Sequence, residues 1–73
     1  MDSGEAKKKI GKKLRKLRMD AGFGSYSDFA FFYDLNKITV LRAEQGKNIT
    51  IDTLIILLQI HNISLKEFFK DFK

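Results

Sequence analysis

Along the chain, apolar residues recur at helical spacing and nowhere alternate with polar ones for long enough to predict a strand. The first helix is expected over about Glu5 to Asp20. There Ile10, Leu14, Leu17 and Ala21 follow i, i+4, i+7, i+11, one face of a 3.6-residue period. Lysines cover the remaining faces, and "AGFGS" ends the helix, with Gly22 free to adopt a left-handed cap. Residues 1–5 are expected to be disordered.

Four further helices follow. Ser25, with Asp28 three residues on, is a good N-cap for "YSDFAFFY", whose inward residues would be Phe29 and Ala30. Asp34 to Asn36 leaves room only for a tight turn. Asn36 can cap a third helix with Val40 and Ala43 inward and Gly46 as its stop. Two short helices joined in this way form the helix-turn-helix unit. Thr50 caps a fourth helix from Ile51 to about His61, with Leu54, Leu57, Leu58 and His61 facing the core and Asn62 closing it. Ser64 and Glu67 form a capping box for the last helix, where Leu65, Phe68, Phe69 and Phe72 share a face. The fold class read from this pattern is all-α, a five-helix bundle in one domain spanning 1–73.

Size and charge narrow the possibilities. A chain of 73 residues has room for one small core and no cysteine to staple it, so tight helix packing or self-association must supply stability. The longest apolar run, "LIILL" at 54–58, is far short of the roughly 18 residues a spanning helix needs. No apolar stretch follows the N-terminal lysines, so a secretory signal is not expected and a cytoplasmic location is. Net charge is +5, and it is concentrated: residues 1–20 carry eight Lys/Arg against three Asp/Glu, while the rest of the chain is neutral. A basic helix on a neutral body suits nucleic acid or an anionic surface.

In order and spacing, "LRKLR", "SYSDFA", "NKITVLRAEQGKN" and "TIDTLIILLQIHNISLKEFF" resemble the phage repressor/Cro-type (XRE-like) helix-turn-helix family over about Ile10 to Phe69. The resemblance implies a five-helix repressor-like bundle in which the third helix, about Lys37 to Gln45, enters the DNA major groove. It also implies a structural ion pair between Glu44 and an arginine of the first helix, Arg18, with Arg15 as substitute. Four departures stand out. Tyr26 replaces the usual glutamine, one extra residue sits in "GFGSY", Asp34 replaces the turn glycine, and Ala43 replaces a larger aliphatic residue.

Within that arrangement, major-groove reading needs side chains near the start of the third helix that point away from the core. Asn36, Lys37 and Ile38 sit there, with Arg42 one turn beyond, and these are the expected base contacts. Phosphate contacts are expected from Ser25, Tyr26 and Thr39, and from Lys47 and Asn48, which resemble the family's backbone-clamping loop. Lys12, Lys13 and Lys16 would add long-range attraction. Ile56, Ile60 and Phe72 are candidates for a homodimer interface, which would set two third helices one DNA turn apart on a pseudo-palindromic operator.

Enzymatic chemistry finds little to build on. His61, the only histidine, lies on an apolar helix face, and without cysteine no ordinary zinc site can form. The serines lack a nearby base, and "GFG" is not a phosphate-binding turn. No metal, cofactor or small-molecule ligand is expected, nor is catalysis. The first helix lacks the aromatic anchors of a membrane-surface helix. The expected function is sequence-specific binding of double-stranded DNA by a transcriptional regulator, a repressor. The alternative is a protein-interaction module on the same scaffold, binding through Phe31, Phe32, Ile56 and Ile60.

Overall fold

The computed structural model describes residues 2–47 and 49–72. Among these residues there are five helices and no strand: α1 (Ser3–Asp20), α2 (Tyr26–Phe32), α3 (Lys37–Glu44), α4 (Ile51–Ile60) and α5 (Leu65–Phe68). Each helix starts where a short polar side chain can satisfy otherwise unpaired amides. Ser25 Oγ accepts from the amides of Ser27 and Asp28 at 3.1 and 3.3 Å. Thr50 Oγ1 accepts from Thr53 and Ser64 Oγ from Glu67, at 3.1 and 3.0 Å. The other half of the proposed capping box is engaged elsewhere, since the Glu67 carboxylate accepts from Lys70 at 2.8 Å.

The N-terminus departs from expectation. Asp2 Oδ1 accepts from the Glu5 amide at 2.8 Å, so α1 begins at Ser3 rather than near Glu5. Residues 3–5, expected to be disordered, are its first turn. The cap was present in the sequence as an aspartate ahead of a lysine-rich helix.

Four helices close in one manner, with a residue of positive φ beyond the last turn. Gly22 (φ 97°) and Gly46 (φ 75°) do this for α1 and α3, Asp34 (φ 57°) and Asn62 (φ 55°) for α2 and α4. In each case the following amide reaches back to a helix carbonyl: Phe23 to Arg18, Leu35 to Ala30, Lys47 to Arg42 and Ile63 to Leu58, at 2.7–3.2 Å. Asp34 therefore serves where a glycine is usual, because a short polar side chain tolerates the left-handed region.

The core is formed by Leu14, Phe29, Ala30, Val40, Ala43, Leu54, Leu57, Leu58 and Phe68. Two expectations for the inner faces fail. Ala21 is the exposed C-cap of α1, and Leu65 remains 45% exposed. His61 is half-buried and stacks on Phe29, centroids 5.4 Å apart and planes at 10°. α1 packs against α3, and so does α2. Where α1 meets the end of α3 the backbones touch, because a Cβ on Gly11 would lie 2.5 Å from the Glu44 carbonyl oxygen.

The C-terminal segment is clasped onto α1. Lys13 Nζ donates to the Phe68 carbonyl and pairs with Asp71 at 2.7 Å, lying 4.8 Å from the Phe68 ring centroid. Lys9 Nζ lies 4.6 Å from the centre of the Phe72 ring and donates to the Asp71 carbonyl at 3.0 Å. This hydrogen-bonded pairing with Lys13 holds the Asp71 carboxyl below its ordinary 3.8.

Candidate nucleic-acid interface

The candidate site is the outer face of α3, and its orientation is set from behind. Arg18 Nε donates to Glu44 Oε2 at 2.8 Å and Nη2 to Oε1 at 3.0 Å, while Nη1 donates to the Phe23 carbonyl at 2.7 Å. Both side chains are nearly excluded from water, with 6% and 8% exposed. Such a two-bond fork fixes the pair's mutual angle as well as its distance. One arginine thus ties the end of α1 to the end of α3 and to the segment leading into α2. The small residues at this junction, Gly11 and Ala43, let the two helices come close enough for the fork to form.

With Val40 and Ala43 buried beneath it, α3 turns Lys37, Ile38, Thr39, Arg42 and Gln45 to solvent. Ile38, Arg42 and Gln45 follow i, i+4, i+7 and form the outermost line. Gln45 was not singled out from sequence, although its spacing from Ile38 was the signal. Lys37, Arg42 and Lys47 make no ion pair among the described residues, and neither do Lys12 and Arg15.

Two depressions flank this line. The larger, about 510 Å³, lies between α1 and α3 and is lined by Arg15, Ser25, Tyr26, Leu41 and Gln45 among others. The second, about 240 Å³, is lined by Thr39, Arg42, Ile49, Thr50 and Thr53. Of the expected phosphate contacts, Ser25 and Tyr26 thus lie on one flank and Thr39 on the other. Asn48 lies outside the described residues.

Three side chains expected to act on DNA, one as a base contact and two by long-range attraction, are engaged within the chain. Asn36 Oδ1 accepts from the amides of Ile38 and Thr39 at 2.9 and 3.2 Å, capping α3. A two-point contact with adenine needs both ends of the amide, so Asn36 cannot read a base in that way without giving up the cap. Lys13 is consumed by the C-terminal clasp, and Lys16 pairs with Asp20 at 3.0 Å. Neither is a free cation, because acceptors from distant or neighbouring turns reach it first.

The expected dimer residues differ in exposure. Ile56 is 46% exposed and Ile60 is half-buried against the core. Phe72 is engaged within the chain, 4.8 Å from the Phe69 ring and beneath Lys9, so it offers less apolar surface than expected.

Burial pushes the His61 imidazole below its ordinary 6.5, with the Glu44 carboxylate pulling the other way. Among the described residues, no cluster of His, Asp or Glu is placed to hold a metal ion, and no helix is long and apolar enough to cross a membrane. Comparison of the chain with family models, curated proteins and solved structures finds no match.

Proposed function

We propose that this chain is a sequence-specific double-stranded-DNA-binding regulator built on the repressor/Cro-type helix-turn-helix plan, with α2 and α3 as the motif. The observation that carries the reading is the outer face of α3. There Lys37 and Arg42, with Lys47 just beyond, make no ion pair among the described residues, on a helix whose rear is held by the buried Arg18–Glu44 fork. Arginine and lysine in the major groove pair with guanine O6 and N7, and Ile38 can press against a thymine methyl. Gln45 can pair with adenine, taking the part expected of Asn36.

Ser25 supports the same reading. Its oxygen is used as an acceptor within α2, but the hydroxyl proton remains available for a phosphate, as does the phenol of Tyr26. With no catalytic or ligand-sensing part proposed, occlusion of a promoter in the cytoplasm is the simplest action for such a domain. A homodimer would place two copies of α3 on an inverted repeat. Ile56, exposed on α4, with the half-buried Ile60 four residues on, is the apolar side chain we assign to it.

The test is selection of binding sites from a random duplex pool at near-physiological salt. An enriched inverted repeat, with half-sites about one turn apart, is the expected result. Binding that is strong at low salt but selects no motif would reduce the interaction to electrostatics. If nothing binds even at low salt, the interaction-module reading replaces this one.

A further inference from the structure

We infer that the outer face of α2, built on Asp28, Phe31 and Phe32, docks a basic segment of another protein that carries Lys or Arg beside a large apolar side chain. Phe31 is 89% exposed and Phe32 68%, although Phe29 and Ala30 already supply the buried face of α2. Phenylalanines left outside a finished core mark a surface that something else covers.

The patch has a firm base. Phe32 lies 5.4 Å from Phe23 and 4.9 Å from Tyr33, and Tyr33 lies 5.1 Å from the buried Phe29. A partner would therefore meet a surface already ordered, which lowers the entropic cost of binding. Phe31 and Asp28 are three residues apart on α2, so their side chains share one part of the helix surface.

Charge determines which partner fits. Residues 21–36, from the end of α1 to the start of α3, hold two aspartates and no lysine or arginine, in a chain whose net charge is +5. Asp28 and Asp34 make no ion pair among the described residues. A ring face beside an unpaired carboxylate attracts a cation on an apolar stem, by cation–π and charge together. This molecule holds one lysine by that combination already, since Lys13 lies over the Phe68 and Phe72 rings and pairs with Asp71. An acidic partner would be repelled here. None of the patch residues is among those proposed to meet DNA, so the inference does not rest on the DNA reading.

The experiment is selection of phage-displayed short random peptides on the folded full chain, with Phe31→Ser in parallel. Phe31 is so exposed that the variant should keep the wild-type circular dichroism and thermal midpoint. The expected outcome is enrichment of peptides combining Lys/Arg with Leu, Ile or aromatic residues. A synthetic copy should bind Phe31→Ser and Asp28→Lys about tenfold more weakly or worse, while duplex selection by Phe31→Ser is unchanged. The inference is overturned if no enrichment depends on Phe31, or if acidic peptides are the ones enriched. It is also overturned if Phe31→Ser abolishes DNA binding, or abolishes self-association in sedimentation, since the occupant would then be DNA or a second copy.

Discussion

Arg18 and Glu44, 26 residues apart, are joined by two hydrogen bonds of 2.8 and 3.0 Å and are almost fully buried. The third donating nitrogen of the guanidinium takes the Phe23 carbonyl, so the arginine is satisfied on three sides. Its contribution lies in geometry more than in net stability, because removing two charges from water offsets most of their attraction.

Arg18→Ala should destabilise the chain by about 3–5 kcal/mol in urea unfolding, because Glu44 is left charged and buried. The double variant Arg18→Met/Glu44→Leu should recover most of that loss yet bind operator DNA poorly, if the fork serves to aim α3. A single-variant cost below about 1 kcal/mol would mean that the pair opens readily to water.

Gly11→Ala tests the contact between α1 and α3. In an open helix the change would stabilise by about 1 kcal/mol. Here the new Cβ would lie 2.5 and 2.9 Å from the backbone oxygens of Glu44 and Ala43, which cannot move aside as a side chain could. A net loss of about 1–3 kcal/mol is expected. Gly24→Ala, with nothing within 4 Å of the new methyl, should change stability by no more than about 0.5 kcal/mol.

Arg42→Ala and Lys47→Ala should fail differently on DNA. The first should lose about 1–3 kcal/mol of discrimination at defined base pairs. The second should weaken all sequences alike and reduce the salt slope of binding by about one. Equal, sequence-independent losses from both would place Arg42 on the phosphates.

The His61 imidazole is held below its ordinary 6.5 by burial, so the unfolded chain takes up that proton more readily than the folded one. The contribution to stability is therefore complete above 6.5. It is lost as pH falls below that value, until the folded-state value is passed. Urea midpoints measured from about pH 7.5 to 5 should fall for the wild type and stay flatter for His61→Leu. Identical slopes would show that the imidazole titrates alike in both states.

The helix caps were legible because they are local. Ser25, Asn36, Thr50 and Ser64 each reach an amide two or three residues away, and Asp34 and Asn62 mark the left-handed turns by type alone. The inward pairs Phe29/Ala30 and Val40/Ala43 followed from periodicity, since one buried stripe per helix is a one-dimensional pattern. The Arg18–Glu44 pair came from a family resemblance, because no local rule links side chains 26 residues apart.

What the amino-acid order determined by itself, then, is an all-α chain of five helices, the caps of four of them and the buried pairs of α2 and α3. Tertiary structure alone decided how the polar side chains outside the caps are used. Gly11 reads as a helix defect until a second backbone lies against it, and Lys13 reads as a surface cation until Asp71 and Phe68 arrive from 58 and 55 residues away. The physical reason is range. Caps and periodicity depend on dihedrals a few residues apart, whereas ion pairs, ring contacts and close approaches depend on where distant segments cross.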